Sequence, residues 1–184
     1  METSKWIEYL KRGRKEKDTF FRIHPSSPIP FKERMSFKGL DFYPPDPNYR
    51  FKLKLHEHKE KKIVKMMDTK GNEREFLRWG EFRFRINGKE CVLQAYKGDP
   101  NENRLFILFR DATSGKETYG AGRYIDFEPE RHLTDEGKWV LDFNLAYNPW
   151  CAFSEAYACP LVPQENWMDV AILAGEKKYL HKEE

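Results

Sequence analysis

Phe82-Arg83-Phe84-Arg85-Ile86-Asn87-Gly88-Lys89-Glu90-Cys91-Val92-Leu93 decides the fold class. Phe82, Phe84 and Ile86 fall on one side of an extended chain, with Arg83 and Arg85 on the other. Asn87-Gly88 then supplies two neighbouring residues that tolerate positive φ, the strongest short hairpin signal a sequence can carry. The stretch predicts two antiparallel strands, from about Glu75 to Ile86 and from about Glu90 to Lys97, with Gly80 bending the first.

Strand patterns continue on both sides of this hairpin. Upstream, Phe51, Leu53 and Leu55 alternate with Lys52, Lys54 and His56, and a second run covers Lys62 to Asp68 before the turn Lys70-Gly71-Asn72. Downstream, Gly98-Asp99-Pro100-Asn101 turns the chain into Leu105-Phe106-Ile107-Leu108-Phe109, apolar on both faces. Further strands are predicted over Thr118 to Phe127 and through Trp139, Leu141 and Phe143. Met168 to Leu173 reads either as a last strand or as a short helix. Together these patterns predict an all-β fold: an antiparallel meander of about eight strands forming a barrel or a tight sandwich.

The N-terminal part is of another kind. Ser4 can cap a helix whose Trp6, Ile7 and Leu10 make an apolar patch, with charges running on through Lys17. His24-Pro25-Ser26-Ser27-Pro28-Ile29-Pro30 excludes regular helix and central strand, because proline lacks a donor and fixes φ. The chain of 184 residues is therefore expected to form a single domain, with helix and wrap over residues 1–48 and the meander over 49–184.

Charge divides unevenly. Residues 1–80 hold 20 Lys and Arg against 12 Asp and Glu, and residues 81–184 hold 13 against 18. The basic residues are dispersed, as on a solvated surface, and in Phe82-Arg83-Phe84-Arg85 the rings and cations lie on opposite faces, so nucleic acid is not an expected partner. No signal-peptide core and no apolar run of about 20 residues is present. With an odd set of three cysteines, this reads as a cytoplasmic protein without a membrane span.

Residues 145–166 form a long irregular segment, too aromatic for disorder, and such loops often carry function. Arg123, Asp142, Asn144, Tyr147, Asn148 and Trp150 are the candidate ligand-binding residues. A forked guanidinium and amides against an aromatic wall suit a small polar or anionic molecule. The same groups could instead satisfy the backbone of the loop. Catalysis, if present, would be hydrolytic, with Cys151 as nucleophile, drawing on His132 or His24, or with Asp142 or Glu165 as general base.

Other motifs fall short of a chemistry. Gly120 and Gly122 lack the third glycine and the helix of a dinucleotide fingerprint. His56 and His58 share a face with lysines rather than with further ligands. Cys151 and Cys159 lack the spacing of a zinc knuckle and read as buried small hydrophobes. No metal site and no cofactor is specified, and oligomeric state is not written in the chain.

Several stretches resemble the family catalogued as domain of unknown function 1684. They are Tyr119-Gly120-Ala121-Gly122-Arg123-Tyr124, Asp142-Phe143-Asn144 with Ala146-Tyr147-Asn148-Pro149, and Cys151-Ala152-Phe153. Cys159-Pro160-Leu161-Val162-Pro163 with Glu165-Asn166, Ala174-Gly175-Glu176-Lys177, and Asp46-Pro47 with Tyr49-Arg50 extend the likeness. It implies no activity. It does imply one shared site made of Arg123, Asn144, Tyr147, Asn148, Cys151, Cys159, Glu165 and Asn166.

Overall fold

A computed structural model describes residues 2–181. Among these residues seven strands form two antiparallel sheets. β2 (His56–Met67), β3 (Glu73–Ile86), β4 (Lys89–Lys97), β5 (Leu105–Phe109) and β6 (Arg123–Phe127) make a five-stranded sheet in sequence order. β1 (Arg50–Leu53) and β7 (Trp139–Asp142) pair only with each other.

The Asn87-Gly88 hairpin forms where expected, with φ of 49° and 78° and a register running from Ile86 opposite Lys89 to Phe82 opposite Leu93. Phe82, Phe84, Leu93, Ile107, Phe109, Ile125 and Phe127 face one side of the large sheet. They pack against Trp139, Leu141 and Phe143 of the β1–β7 side in one cluster. Met66, Tyr96, Leu108 and Val162 form a second cluster. β5 is thus packed on both faces, as its unbroken apolar run requires.

The barrel does not close. Its ends, β2 and β6, are not paired with each other, and β1, expected to lead the meander, leaves it to join β7. β2 carries several lysines and glutamates along its outer edge, which discourages further pairing, and at its end the Leu161 N–H donates to the Met67 carbonyl. β6 is covered instead by the irregular segment, through backbone bonds in both directions between Tyr124 and Tyr147.

Three other local expectations are corrected. The strand predicted from Thr118 begins only at Arg123, because Gly122 turns the chain with φ of 103° and an added Cβ there would stand 2.5 Å from the Phe109 carbonyl. Residues 168–173 are neither strand nor helix. They are irregular, bent at Asp169 and Val170, and tied by Met168 N–H to the Arg110 carbonyl and by Ala112 N–H to the Val170 carbonyl. Phe143 and Asn144 do not continue β7 but enter a 3-10 turn over Phe143–Leu145, which Asp142 caps by accepting from the Asn144 N–H at 2.9 Å.

The N-terminal helix α1 spans Thr3–Ile23, further than its apolar patch predicts. Ser4 lies inside it rather than capping it. Trp6, Leu10 and Phe21 are its buried residues, and Phe21 joins Ile29, Phe37, Ala152 and Phe153 in a third cluster. Two short turns of helix follow, α2 (Phe31–Arg34) and, before β7, α3 (Pro129–His132). No described helix is long and apolar enough to cross a membrane.

Candidate functional site

The polar residues singled out in the sequence are mostly buried, and each is held by a different part of the fold. Arg123, on β6, is completely inaccessible. Its guanidinium donates to the carbonyls of Ile172 at 3.0 Å and Glu176 at 3.2 Å and also to that of Ala174. It lies 3.6 Å from Asp111 and over the Phe109 ring. Asp111 in turn accepts from the Ile172 N–H at 2.7 Å. These bonds tie residues 172–176 to the sheet without regular strand pairing.

Asn144 clasps Asp46: its side-chain carbonyl accepts from the Asp46 N–H and its amide donates to the Asp46 carbonyl, both at 2.9 Å. Asn148 donates to the Lys177 carbonyl at 2.9 Å. Tyr147 donates to Asp126 at 2.6 Å, and burial, with Asp126 beside it, pushes its phenol up. Trp150 packs edge-on against Tyr157. Asn166 donates to the Gln94 and Leu108 carbonyls, and the exposed Glu165 accepts from Tyr96 and Arg78. Glu165 and Asp142 thus belong to different regions and form no acid–base pair.

Cys151 meets Tyr119 through its sulfur at 3.6 Å. Neither proposed histidine serves it. His24 stacks on Phe20, and His132 packs edge-on to Phe127 while its Nδ1 accepts from the Glu128 N–H at 2.9 Å. Among the described residues no group of three or more His, Cys, Asp or Glu could hold a metal ion.

Asp142 is different, because it opens on a cavity. It closes the inner end of a cleft of about 620 Å³ between α1, β1, α3 and β7, lined by Trp6, Tyr9, Arg12, Arg50, Arg131 and His132 among others. The Trp6 indole N–H donates to Asp142 at 2.8 Å, fixing α1 to the end of β7. Arg50 stands 3.7 Å from the same carboxylate and 5.5 Å from the Trp6 ring centroid. The Arg50 guanidinium makes no hydrogen bond to any described residue, and the side chain is 24% exposed. Burial holds His132 below the usual imidazole range, so it enters the cleft neutral, with Nε2 left as the donor.

A smaller cavity of about 200 Å³ adjoins this cleft on the other side of Tyr9, Gly13 and Leu145. Arg14, Lys17, Asn144, Tyr147 and Glu176 line it. Its charges are already used: Lys17 pairs with Glu176, and Arg14 donates to the Tyr43 carbonyl at 2.9 Å. The six candidate ligand residues therefore do not converge. Asp142 reaches the large cleft, Asn144 and Tyr147 the small cavity, and Arg123 and Asn148 hold backbone.

Trp6, Arg50, Arg12 and His132 were not selected from the sequence as ligand groups. Trp6 stood out only as an apolar helix residue and Arg50 only as part of the Tyr49-Arg50 likeness. The cleft exists because β1 leaves the meander for β7, which places Arg50 opposite Asp142.

The fold and site define an antiparallel β protein of two sheets, strapped by one long helix that roofs an arginine-lined cleft. The chain belongs to the family described as protein of unknown function (DUF1684), whose model matches residues 35–177. It is similar to the solution NMR structure of an uncharacterised protein from Haloarcula marismortui, at 39% identity over 95% of each chain and a TM-score of 0.72. No curated protein matches.

Proposed function

We propose that the protein binds a small anionic molecule, a carboxylate or a phosphate, in the cleft under α1. Arg50 carries this reading: a partly buried guanidinium with unused donors, facing a cavity of the size that holds small ligands. Arg12 and Arg131 at the rim would draw an anion in, while Trp6 and Tyr9 offer apolar walls. Two carboxylates, Asp142 and Glu16, also line the cleft, but Arg12, Arg50 and Arg131 outnumber them, and Asp142 is already engaged by Trp6, Asn144 and Arg50.

Arg50→Gln keeps the stem and removes the charge. A charge-assisted hydrogen bond contributes about 1.5–3 kcal/mol, so the affinity for the anion should fall by about tenfold or more. The measurement is titration of the purified protein with a panel of small carboxylates and phosphates, followed by amide chemical shifts. Saturable shifts at Trp6, Arg50 and His132 that weaken in Arg50→Gln are expected. A panel that moves none of them would overturn the reading.

A further inference from the structure

Cys151 and Cys159, separated by seven residues in the chain, are brought together by the irregular segment. The Cys151 N–H donates to the Cys159 sulfur at 3.4 Å, which brings the two cysteines side by side. The thiols are free and both are partly accessible, whereas Cys91 is buried.

Each cysteine is anchored independently of the other. Cys151 sits in the 3-10 turn Trp150–Ala152, with its sulfur against the Tyr119 hydroxyl and the neighbouring Ala152 and Phe153 in the third apolar cluster. Cys159 is stapled to the β2–β3 turn: its N–H donates to the Thr69 hydroxyl at 3.2 Å, and its carbonyl accepts from the Thr69 N–H at 3.0 Å. Arg74 and Lys70 fasten the adjacent carbonyls of Ala158 and Ala156 at 2.8 and 3.0 Å. The sulfurs are thus positioned before any bond joins them.

The surroundings make the two sulfurs unequal. The neighbouring Cys151 thiol, the backbone N–H groups of Cys151 and Trp150 and the charge of Arg74 outweigh burial and lower the Cys159 thiol below its usual range. The adjacent Cys159 side chain, together with burial, raises the Cys151 thiol. These surroundings favour the thiolate at Cys159 and the protonated thiol at Cys151.

We propose that Cys159 and Cys151 form a redox-active dithiol, in which Cys159 attacks a low-molecular-weight disulfide and Cys151 resolves the mixed disulfide. The Cys159 thiolate bonds to one sulfur of the substrate, whose S–S bond breaks and releases a first thiolate. That thiolate takes the proton of Cys151. The Cys151 sulfur then bonds to the Cys159 sulfur, breaking the mixed disulfide and releasing the second thiolate, which is protonated by solvent. Starting from the Cys159 thiolate, the protein loses two electrons and the Cys151 proton, solvent supplies the other proton, and the substrate disulfide becomes two thiols.

The test uses the reduced full chain with oxidised glutathione, read by intact mass, by free-thiol count and by peptide mapping. Wild-type protein should lose a pair of hydrogens, with Cys151 and Cys159 in one cross-linked peptide and Cys91 still open to alkylation after unfolding. Cys151→Ser should accumulate a glutathione adduct on Cys159, and Cys159→Ser should react at least about tenfold more slowly, as a sulfur without a thiolate does. Wild-type protein that keeps both thiols, or that stops at a stable adduct without a cross-link, would overturn the proposal. An adduct formed first on Cys151 would overturn the assignment of roles. The wild-type result decides whether the pair is redox-active even if a variant folds poorly.

Discussion

Arg123 shows how one buried cation can stand in for a strand pairing. Residues 172–176 lack regular sheet bonding, yet their carbonyls converge on a single guanidinium backed by Asp111. Removing one partner of such a buried set leaves a charge and several carbonyls without donors, a loss of about 3–5 kcal/mol. Arg123→Ala should therefore lower the unfolding free energy by that much, read as a fall in the urea midpoint at unchanged slope. Arg123→Lys should recover little, since an ammonium cannot reach the three carbonyls and Asp111 in the geometry of a planar fork. A stable Arg123→Ala variant would mean that the 172–176 segment is held by its apolar residues alone.

The elements that were legible in the sequence are those whose signal is local. Asn87-Gly88 fixes a hairpin whatever surrounds it, and Leu105–Phe109 is apolar enough to require two covered faces. The partner of β1 was not legible: Phe51 and Leu53 show that a strand exists but not which strand it joins, and that choice opens the cleft. Arg50 was hidden for the same reason. Arg123, Asn144 and Asn148 could be picked out as polar residues among aromatics, but only tertiary contacts show whether a donor meets a ligand or a backbone carbonyl. Proximity of Cys151 and Cys159 likewise depends on the Thr69 and Arg74 anchors, far away in sequence.

Helix α1 offers a test at the same scale. Gly13 lies mid-helix on the ridge between the two cavities, and nothing stands within 4 Å of where its Cβ would be. Glycine in a helix interior is less stable than alanine by about 0.5–1 kcal/mol. Gly13→Ala should stabilise the protein by that amount in urea titration, with no clash to offset it. A destabilised Gly13→Ala variant would show that the helix approaches the β1–β7 side more closely than these cavities allow.

Across the whole molecule, the polar interior sets how stability responds to pH. Burial, in most cases with a carboxylate beside it, raises the phenols of Tyr43, Tyr96, Tyr147 and Tyr179, that of Tyr179 to about 12. Burial also raises Tyr119 and Tyr124, with Cys151 and Cys159 adding to it. A group raised in the folded state contributes stability that is complete below its unfolded pKa and is lost as pH climbs through the folded value, so the loss begins near about pH 10. His132, lowered by burial, acts at the other end. The unfolded chain binds its proton first, so stability falls as pH drops below about 6.5. Asp68, lowered by backbone N–H groups of Asn72 and Lys70 and by Arg74, adds a loss as pH falls below about 4. Cys159, lowered to about 6, adds stability that grows as pH rises from about 6 to about 9, so urea midpoints should climb to a maximum near about pH 9 and then fall on a steep alkaline limb where several phenols ionise together. Tyrosinate absorbance followed in parallel should rise cooperatively with unfolding. Ionisation of these phenols near pH 10 in a protein that stays folded would show that their hydroxyls are not held as the structure places them.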